Sequence, residues 1–370
     1  MIEKKYFLMS ETVRDLMFVN SEPKKEYFYF IDICLLCNSK KIKYLFKQWD
    51  ISYYRCRECE FVFSNPRLTD KGAFVWYNSN YYNAAMQTEH YIAENFDPFF
   101  SISLSPILLK KIIEFVINRN FSKNIKVVDV GCGSGAILHF LKDELGFCNL
   151  TGFDLNSSNI EFAKRFRKID LKNVDIYKLQ KPAKYDLIIT TENIEHVSNP
   201  GDYVSQLIKL SKNGSYLLLS TPHNDEQAVS LMGIFGDSFC APNHQNYFNF
   251  DNLSKLLSEN KFIIKDYWLY DAARFKLFAF IKKFLIKRDE VIGLPPQSAS
   301  LNNIYRWQKQ NSESVILNYL DTQYEGINNF KQIKNNNSIS FKRIIKRFLN
   351  NLIPIKFNTH QIILARYEGE

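Results

Sequence analysis

The 370-residue sequence has no apolar run long enough to form a bilayer-spanning helix, and its nearest approach, LFAFIKKFLI, is broken by lysines. Its N-terminus, MIEKKYFLMS, lacks the apolar core of a secretory signal, so the expectation is a cytoplasmic protein. Cysteine is scarce, and its count of seven is odd. Four of the seven form two C-x-x-C pairs, which argues against a disulfide framework and for metal ligation in a reducing compartment. Net charge is nearly absent outside one segment. From Arg274 to Lys356 there are 15 lysines and arginines against 5 acids, enough to account for the whole net charge of +9. What is plentiful is aromatic residues, 31 Phe and 21 Tyr, within an ordinary balance of 46% hydrophobic and 24% charged residues. Such a chain is long enough for one domain with a full core plus one or two smaller modules.

Four modules follow from the pattern. Residues 1–66 carry Cys34, Cys37, Cys56 and Cys59 as C-x2-C-x18-C-x2-C. Two tight turns at this spacing can present four thiolates to one structural Zn²⁺, with a small hairpin of the zinc-ribbon type between them. A closed four-thiolate site has no open coordination position, so it reads as architecture and not catalysis. Residues 67–120 form an aromatic-rich link and helix, containing WYNSNYYNAAMQTEHY from Trp76 to Tyr91. These rings suit stacking on a sugar or base and packing between modules equally well.

Residues 121–271 alternate strand and helix signals. IKVVDV, AILHFLKDEL with Ile137, Leu138, Leu141 and Leu145 on one face, LTGFDL and SSNIEFAKRF begin a βαβ array, which VDIYKL, YDLIITT and SYLLLSTP continue. Before the last of these lies a helix that Asn199 can cap, that Pro200 suits at its first position, and that Gly214 can close. The pattern predicts a Rossmann-like α/β fold, a mostly parallel sheet with helices on both faces. Residues 272–357 read as a basic helical insertion, after which 358–370 return as a strand, HQIILARYE, to pair with FIIKDYWLY.

The stretch VVDVGCGSG, residues 127–135, places Gly131, Gly133 and Gly135 between a buried strand and a helix. Gly131, Gly133 and Ala136 satisfy G-x-G-x-x-G/A, so dinucleotide binding is open at this point. Asp129 argues against it: a carboxylate this near the loop repels a pyrophosphate and attracts a ligand carrying ammonium and sulfonium charges. Asp154, at the end of the next strand, is placed to bond both hydroxyls of a ribose.

Taken in order and spacing, VVDVGCGSG, FDLN, YDLIITTENIEHV and LLLSTPH resemble the class I S-adenosylmethionine-dependent methyltransferases. The resemblance implies a seven-stranded sheet ending in an antiparallel hairpin. It implies Gly131, Gly133 and Gly135 under the methionine part of S-adenosylmethionine, Asp129 as an acidic anchor, Asp154 as the ribose ligand, and Thr191 at the cofactor end of its strand. For adenine the chain offers only Leu179 and Gln180. The E-x-x-E-H cluster of Glu192, Glu195 and His196 is similar to that of ubiquinone-pathway O-methyltransferases, which implies a divalent ion there. His196, His223 and His244 are the candidate catalytic bases around the acceptor. The four cysteines followed by FVFSNPRLT, an aromatic link and this core also resemble bacterial methyltransferases of sugar and surface-polysaccharide biosynthesis. Some sugar C-methyltransferases share that layout but carry a large additional C-terminal domain, so hydroxyl methylation is the expectation.

A small-molecule or glycan acceptor is therefore expected, most simply a sugar hydroxyl. An RNA methyltransferase is the main alternative, but the chain has TENIEH where amino methylation of bases commonly uses an N-P-P-Y-like turn, and it has no Pro-Cys nucleophile pair. A non-catalytic binding protein is disfavoured by the intact glycines and Asp154. RFKLFAFIKKFLIKR and FKRIIKRFLNNLI, with Lys282, Lys283, Lys342 and Arg343, carry the amphipathic basic pattern that can rest on an anionic membrane surface.

Overall fold

The structure, a computed structural model, describes residues 15–20, 22–48, 50–95, 97–101, 104–180, 182–224, 239, 241–274, 290–291 and 356–369. Near the N-terminus, β1 (Ile42–Gln48) and β2 (Ile51–Cys56) form an antiparallel hairpin, and β3 (Val62–Asn65) adds to β2. The two C-x-x-C turns stand at either side of this hairpin, as their spacing predicts. A short β4 (Arg67–Leu68) pairs with Phe28–Tyr29. Two helices follow, α1 (Asp70–Tyr77), capped by the Thr69 hydroxyl, and α2 (Asn80–Asn95), which together carry the aromatic stretch. Then comes α3 (Pro106–Asn118), whose first turn is closed by the Ser105 side chain.

The larger sheet starts with β5 (Lys126–Val130), α4 (Ala136–Asp143), β6 (Asn149–Asp154), α5 (Ser157–Phe162) and β7 (Lys172–Asn173). It continues with β8 (Tyr185–Thr191), α6 (Pro200–Leu210), β9 (Ser211–Pro222), β10 (Asn246–Tyr247), α7 (Phe250–Glu259), β11 (Phe262–Arg274) and β12 (Lys356–Tyr367). Seven of these strands form one sheet in the order β7-β6-β5-β8-β9-β12-β11. The pairs β5–β6, β5–β8 and β8–β9 are parallel, and β12 runs antiparallel to both its neighbours. This is the mostly parallel α/β sheet that the alternation predicts, and the antiparallel hairpin at one edge is the one that the resemblance implies.

Both faces of the sheet are covered because its strands are apolar on both sides. On β8, Ile188 packs with Val128, Leu207 and Leu217 on one face, while Leu187 and Ile189 pack with Leu138, Leu141 and Ile112 on the other. The first of these clusters also contains Cys34, Cys56, Phe61 and Phe63, so the cysteine module shares the core of the large domain.

The sequence reading differs from the structure in several places. VDIYKL is not a strand: β7 is only Lys172–Asn173, and Ile176–Lys178 forms a 3-10 turn. The Asp175 carboxylate accepts the Tyr177 N–H, a local bond that competes with sheet pairing. Gly214 does not close a helix: α6 ends at Leu210, and Gly214, with φ +86°, lies in the irregular start of β9. SSNIEFAKRF changes from α5 into a π turn at Ala163–Arg167. The strands expected to flank the insertion run on to Arg274 and start again at Lys356. Lys282, Lys283, Lys342 and Arg343 lie outside the described residues. Glu290–Val291 pairs with β1, and β10 pairs with β3, so the cysteine module's sheet takes strands from later in the chain. Among the described residues no helix is long and apolar enough to cross a membrane.

Candidate active site

The strand order reverses at β5, with β6 on one side and β8 on the other, so the chain segments leaving their carboxyl ends diverge and open a crevice. VVDVGCGSG ends in that crevice. The amides of Gly131 and Cys132 both donate to the Phe153 carbonyl of β6, at 2.8 and 3.0 Å. Gly131 has φ +70°, and a Cβ there would stand 1.7 Å from the Asn193 amide. Asn193 Nδ2 instead donates to the carbonyls of Val130 and Gly131, at 2.9 and 3.1 Å, tying the loop to the segment after β8. Gly133, with φ +53°, has nothing within 4 Å of the position a Cβ would take, so this part of the loop faces open space.

Two carboxyls meet the loop. Asp129 is buried on β5, and its Oδ1 has no hydrogen-bond partner. Burial, reinforced by the Asp154 charge, pushes its pKa up to about 8. Asp154, at the end of β6, accepts the Gly133 N–H on Oδ2 and the Asn156 N–H on Oδ1, each at 2.8 Å. Burial raises it to about 6 against the lowering effect of those two amides. Two carboxyls that resist ionisation beside an open glycine loop create a site favouring a cation. Thr191 ends β8, is buried, and pairs in register with Ser220.

Beyond Thr191, Glu192 adopts φ +51°. Its carboxylate accepts Ser220 Oγ at 2.9 Å and Tyr270 OH at 3.3 Å, and stands 3.5 Å from His360 Nε2. The three residues whose ligating atoms converge within 4.8 Å are Glu195, His196 and His244. The structure thus replaces Glu192 with His244 in the cluster read from E-x-x-E-H. Ser220 and Tyr270 hold Glu192 toward β9 and β11. His223 also stands outside the cluster: its amide donates to the Thr359 carbonyl at 2.7 Å, and its backbone bridges Phe248.

Glu195 is fully buried. Its Oε2 accepts Thr221 Oγ1 at 2.8 Å, whereas Oε1 has no hydrogen-bond donor. Burial and the neighbouring Glu192 hold its pKa well above the usual carboxylate range. His196 Nδ1 lies 3.1 Å from the Asn243 carbonyl, and the Glu192 carbonyl is a second acceptor beside the ring, so the neutral imidazole can donate from one nitrogen and present a lone pair at the other. Burial pushes His196 down to about 4, keeping it neutral near pH 7. His196 Nε2 stands 3.6 Å from Glu195 Oε1, and the His244 ring crosses His196 at 4.8 Å.

The aromatic link closes the crevice. Tyr77 OH donates to Asn243 Oδ1 at 2.8 Å, and its ring meets His196 edge-on. Burial raises the Tyr77 phenol well above its ordinary range, helped by the charges of Tyr82, Glu195 and Asp154, so this one side chain lies near both carboxylate groups. Asn156 Nδ2 donates to the Tyr77 carbonyl and to Asn83 Oδ1. Trp76 is buried in a packing cluster, one of the two roles the sequence left open, while Tyr77 stands against His196.

A second polar network under the loop was not foreseen. Ser134 Oγ bonds Glu89 Oε1 of α2 and accepts Arg167 Nη1 at 2.6 Å. Arg167 also donates to the carbonyls of Pro98 and Phe100. All three side chains are buried. The acid and the arginine come from separate modules, one from a polar helix and the other from a basic run, so no local pattern marks either.

The cysteine tetrad is assembled as its spacing predicts. Cys34 and Cys59 stand 3.5 Å apart and Cys37 and Cys56 3.4 Å apart at sulfur, with all four within 4.8 Å.

Comparison with known proteins agrees with this layout. A family profile described as a methyltransferase domain matches residues 106–264. The chain is 35% identical over 136 residues to a protein of Rickettsia akari named ubiquinone biosynthesis O-methyltransferase, covering 35% of this chain and 53% of the relative. A protein of the same name from Rickettsia canadensis is 30% identical over 185 residues, covering 46% of this chain and 78% of the relative. The chain thus spans about half the length of the first of these curated relatives. Similar solved structures include phosphoethanolamine N-methyltransferase 2 of Haemonchus contortus with S-adenosyl-L-methionine, at 12% identity and TM-score 0.45, covering 83% of this chain and 63% of that one. Another is magnesium protoporphyrin IX methyltransferase of Synechocystis with bound S-adenosylhomocysteine, at 16% identity and TM-score 0.40, covering 53% and 90%. Strand order, a glycine loop at the switch point and the match to the Rickettsia canadensis protein converge: the chain belongs to the class I S-adenosylmethionine-dependent methyltransferases.

Proposed function

We propose that the protein transfers the methyl group of S-adenosylmethionine to a hydroxyl of a small-molecule acceptor. The observation that carries this reading is the convergence of Glu195, His196 and His244 beside the glycine loop, joined to it through Asn193. Methyl transfer is an in-line displacement, so the protein chiefly positions the acceptor oxygen and removes its proton. A neutral imidazole fixed by Asn243 and a carboxyl with a free oxygen suit both tasks.

The same three donors fit a divalent cation: a carboxylate oxygen lacking a donor, an imidazole lone pair and a second histidine, all within 4.8 Å. A cation held there would polarise the acceptor oxygen and ease loss of its proton. Acceptors with two adjacent hydroxyls suit such a site best, on an aromatic ring or on a sugar. The names of the Rickettsia relatives favour oxygen as the acceptor atom and a ubiquinone-type ring. A sugar hydroxyl rests on the cysteine module and the FVFSNPRLT segment alone. Incubation with labelled S-adenosylmethionine and Mg²⁺, using 3,4-dihydroxybenzoate in one arm and sugar nucleotides in another, should label one of them and lose the label with chelator. Labelling of total RNA in place of both would overturn the reading.

We further propose a structural Zn²⁺ at Cys34, Cys37, Cys56 and Cys59. Tetrahedral Zn–S bonds of about 2.3 Å require sulfurs roughly 3.8 Å apart, and the observed spacing of 3.4 to 4.8 Å accommodates that. Elemental analysis should find one zinc per chain, displaced when Cys37 and Cys59 are both changed to serine. A purified protein without zinc would contradict the assignment.

A further inference from the structure

Arg67, the first residue after the cysteine module, is fully shielded from solvent on β4; it donates to carbonyl and amide oxygens and also meets the Tyr29 hydroxyl and Cys34 of that module. A guanidinium so placed is costly to bury, and its contacts show what it secures. Nε and Nη2 donate to the Ser198 carbonyl at 3.1 and 2.9 Å, and Nη2 reaches the Val197 carbonyl at 3.2 Å. Nη1 donates to the Gln245 carbonyl at 3.0 Å, and Nη2 to Asn246 Oδ1 at 2.6 Å. One planar fork therefore holds the residues just after His196 and the residues just after His244.

Neighbouring bonds reinforce the same junction. Tyr29 OH donates to the Ser198 carbonyl at 3.0 Å, and the Leu68 amide donates to Gln245 Oε1 at 2.8 Å. Gln245 Nε2 donates to the His196 carbonyl at 2.7 Å, and the amides of Gln245 and Asn246 both donate to the Glu195 carbonyl. Asn246 Nδ2 completes the junction at the carbonyls of Ile194 and Val197. None of these bonds touches the glycine loop or Asp154.

We propose that Arg67 is a positioning residue: it fixes the separation of His196 and His244, so that the short strand β4, paired to Phe28–Tyr29 of the cysteine module, governs the acceptor step and leaves methyl-donor binding to the large domain. The proposal rests on the reading of Glu195, His196 and His244 as the acceptor site. Arginine suits this place because its planar fork sends donors in fixed directions to both chain segments, whereas lysine offers its three donors from one nitrogen.

The test uses full-length Arg67→Gln, Arg67→Lys and Tyr29→Phe. Three quantities are read: calorimetric affinity for S-adenosylmethionine, kcat with 3,4-dihydroxybenzoate, and the NMR cross-peak between the His196 and His244 rings in histidine-labelled, otherwise deuterated protein. Arg67→Gln should lower kcat by about a hundredfold and lose the cross-peak, with donor affinity within about twofold of wild type. Arg67→Lys should recover part of both. Should Arg67→Gln fail to fold, Tyr29→Phe, which leaves the guanidinium in place, should still lower kcat by about threefold to tenfold and weaken the cross-peak. A retained cross-peak in every variant, or a fall in donor affinity matching the fall in kcat, would overturn the proposal. Wild-type protein inactive on 3,4-dihydroxybenzoate would count against the acceptor reading, and the cross-peak and donor affinity would then decide the role of Arg67 by themselves.

Discussion

Changing His196 to glutamine should lower kcat by about a hundredfold to ten-thousandfold while leaving S-adenosylmethionine affinity nearly unchanged. The ring is held between the carbonyls of Asn243 and Glu192, with Nε2 3.6 Å from Glu195 and the His244 ring beside it. Glutamine can keep one polar contact but cannot supply a titratable nitrogen that takes up the acceptor's proton. Because burial pushes His196 down to about 4, its imidazole is already neutral at pH 5 and above. Its contribution to the rate should therefore hold from pH 5 upward and disappear only as pH falls through about 4. Steady-state kinetics across that range check both points. A variant with unchanged kcat would remove His196 from the chemistry, and an equal loss of donor affinity would give it a structural role instead.

How much of this site could be read from the sequence depended on how local each signal is. VVDVGCGSG announces its loop because strand, turn and helix are contiguous, and Asp154 follows one βα unit later. The cysteine tetrad is also a spacing pattern. The Glu195–His196–His244 cluster was half legible: E-x-x-E-H marked the region but suggested Glu192, whereas the third member comes from 48 residues downstream and depends on how β10 docks on β3. Arg67 lies in FVFSNPRLT, which marked a resemblance but no role for the residue, because its bond to Asn246 spans 179 positions. VDIYKL misled for the opposite reason. Its apolar alternation is that of a strand, but Asp175 offers its own backbone a turn, and β7 is too short and too near the sheet edge to compete.

Substitution of Asp154 by alanine should weaken S-adenosylmethionine binding by about 2 to 4 kcal/mol, roughly thirtyfold to a thousandfold, through loss of a charged acceptor for the ribose hydroxyls. Asparagine should not restore the affinity, because Oδ1 and Oδ2 both accept amides, from Asn156 and Gly133, and an NH₂ group would face one of those N–H donors. The pH dependence follows from the same carboxyls. Asp154 is held at about 6 and Asp129 at about 8, both above their ordinary value, because the fold disfavours their charged forms. An unfolded aspartate ionises near about 4. Between about pH 4 and 8 the folded protein without donor therefore binds more protons than the unfolded chain, and these two groups cost it stability as pH rises. A cationic donor favours the ionised carboxylates, so its binding should release protons, and its affinity should strengthen from pH 5 to 8. Calorimetry in buffers of different ionisation enthalpy measures that release directly. Asp129→Asn should remove the part of the pH dependence near 8 and leave the part near 6. Affinity that stays flat across the range would show that neither carboxyl titrates against the donor's charge.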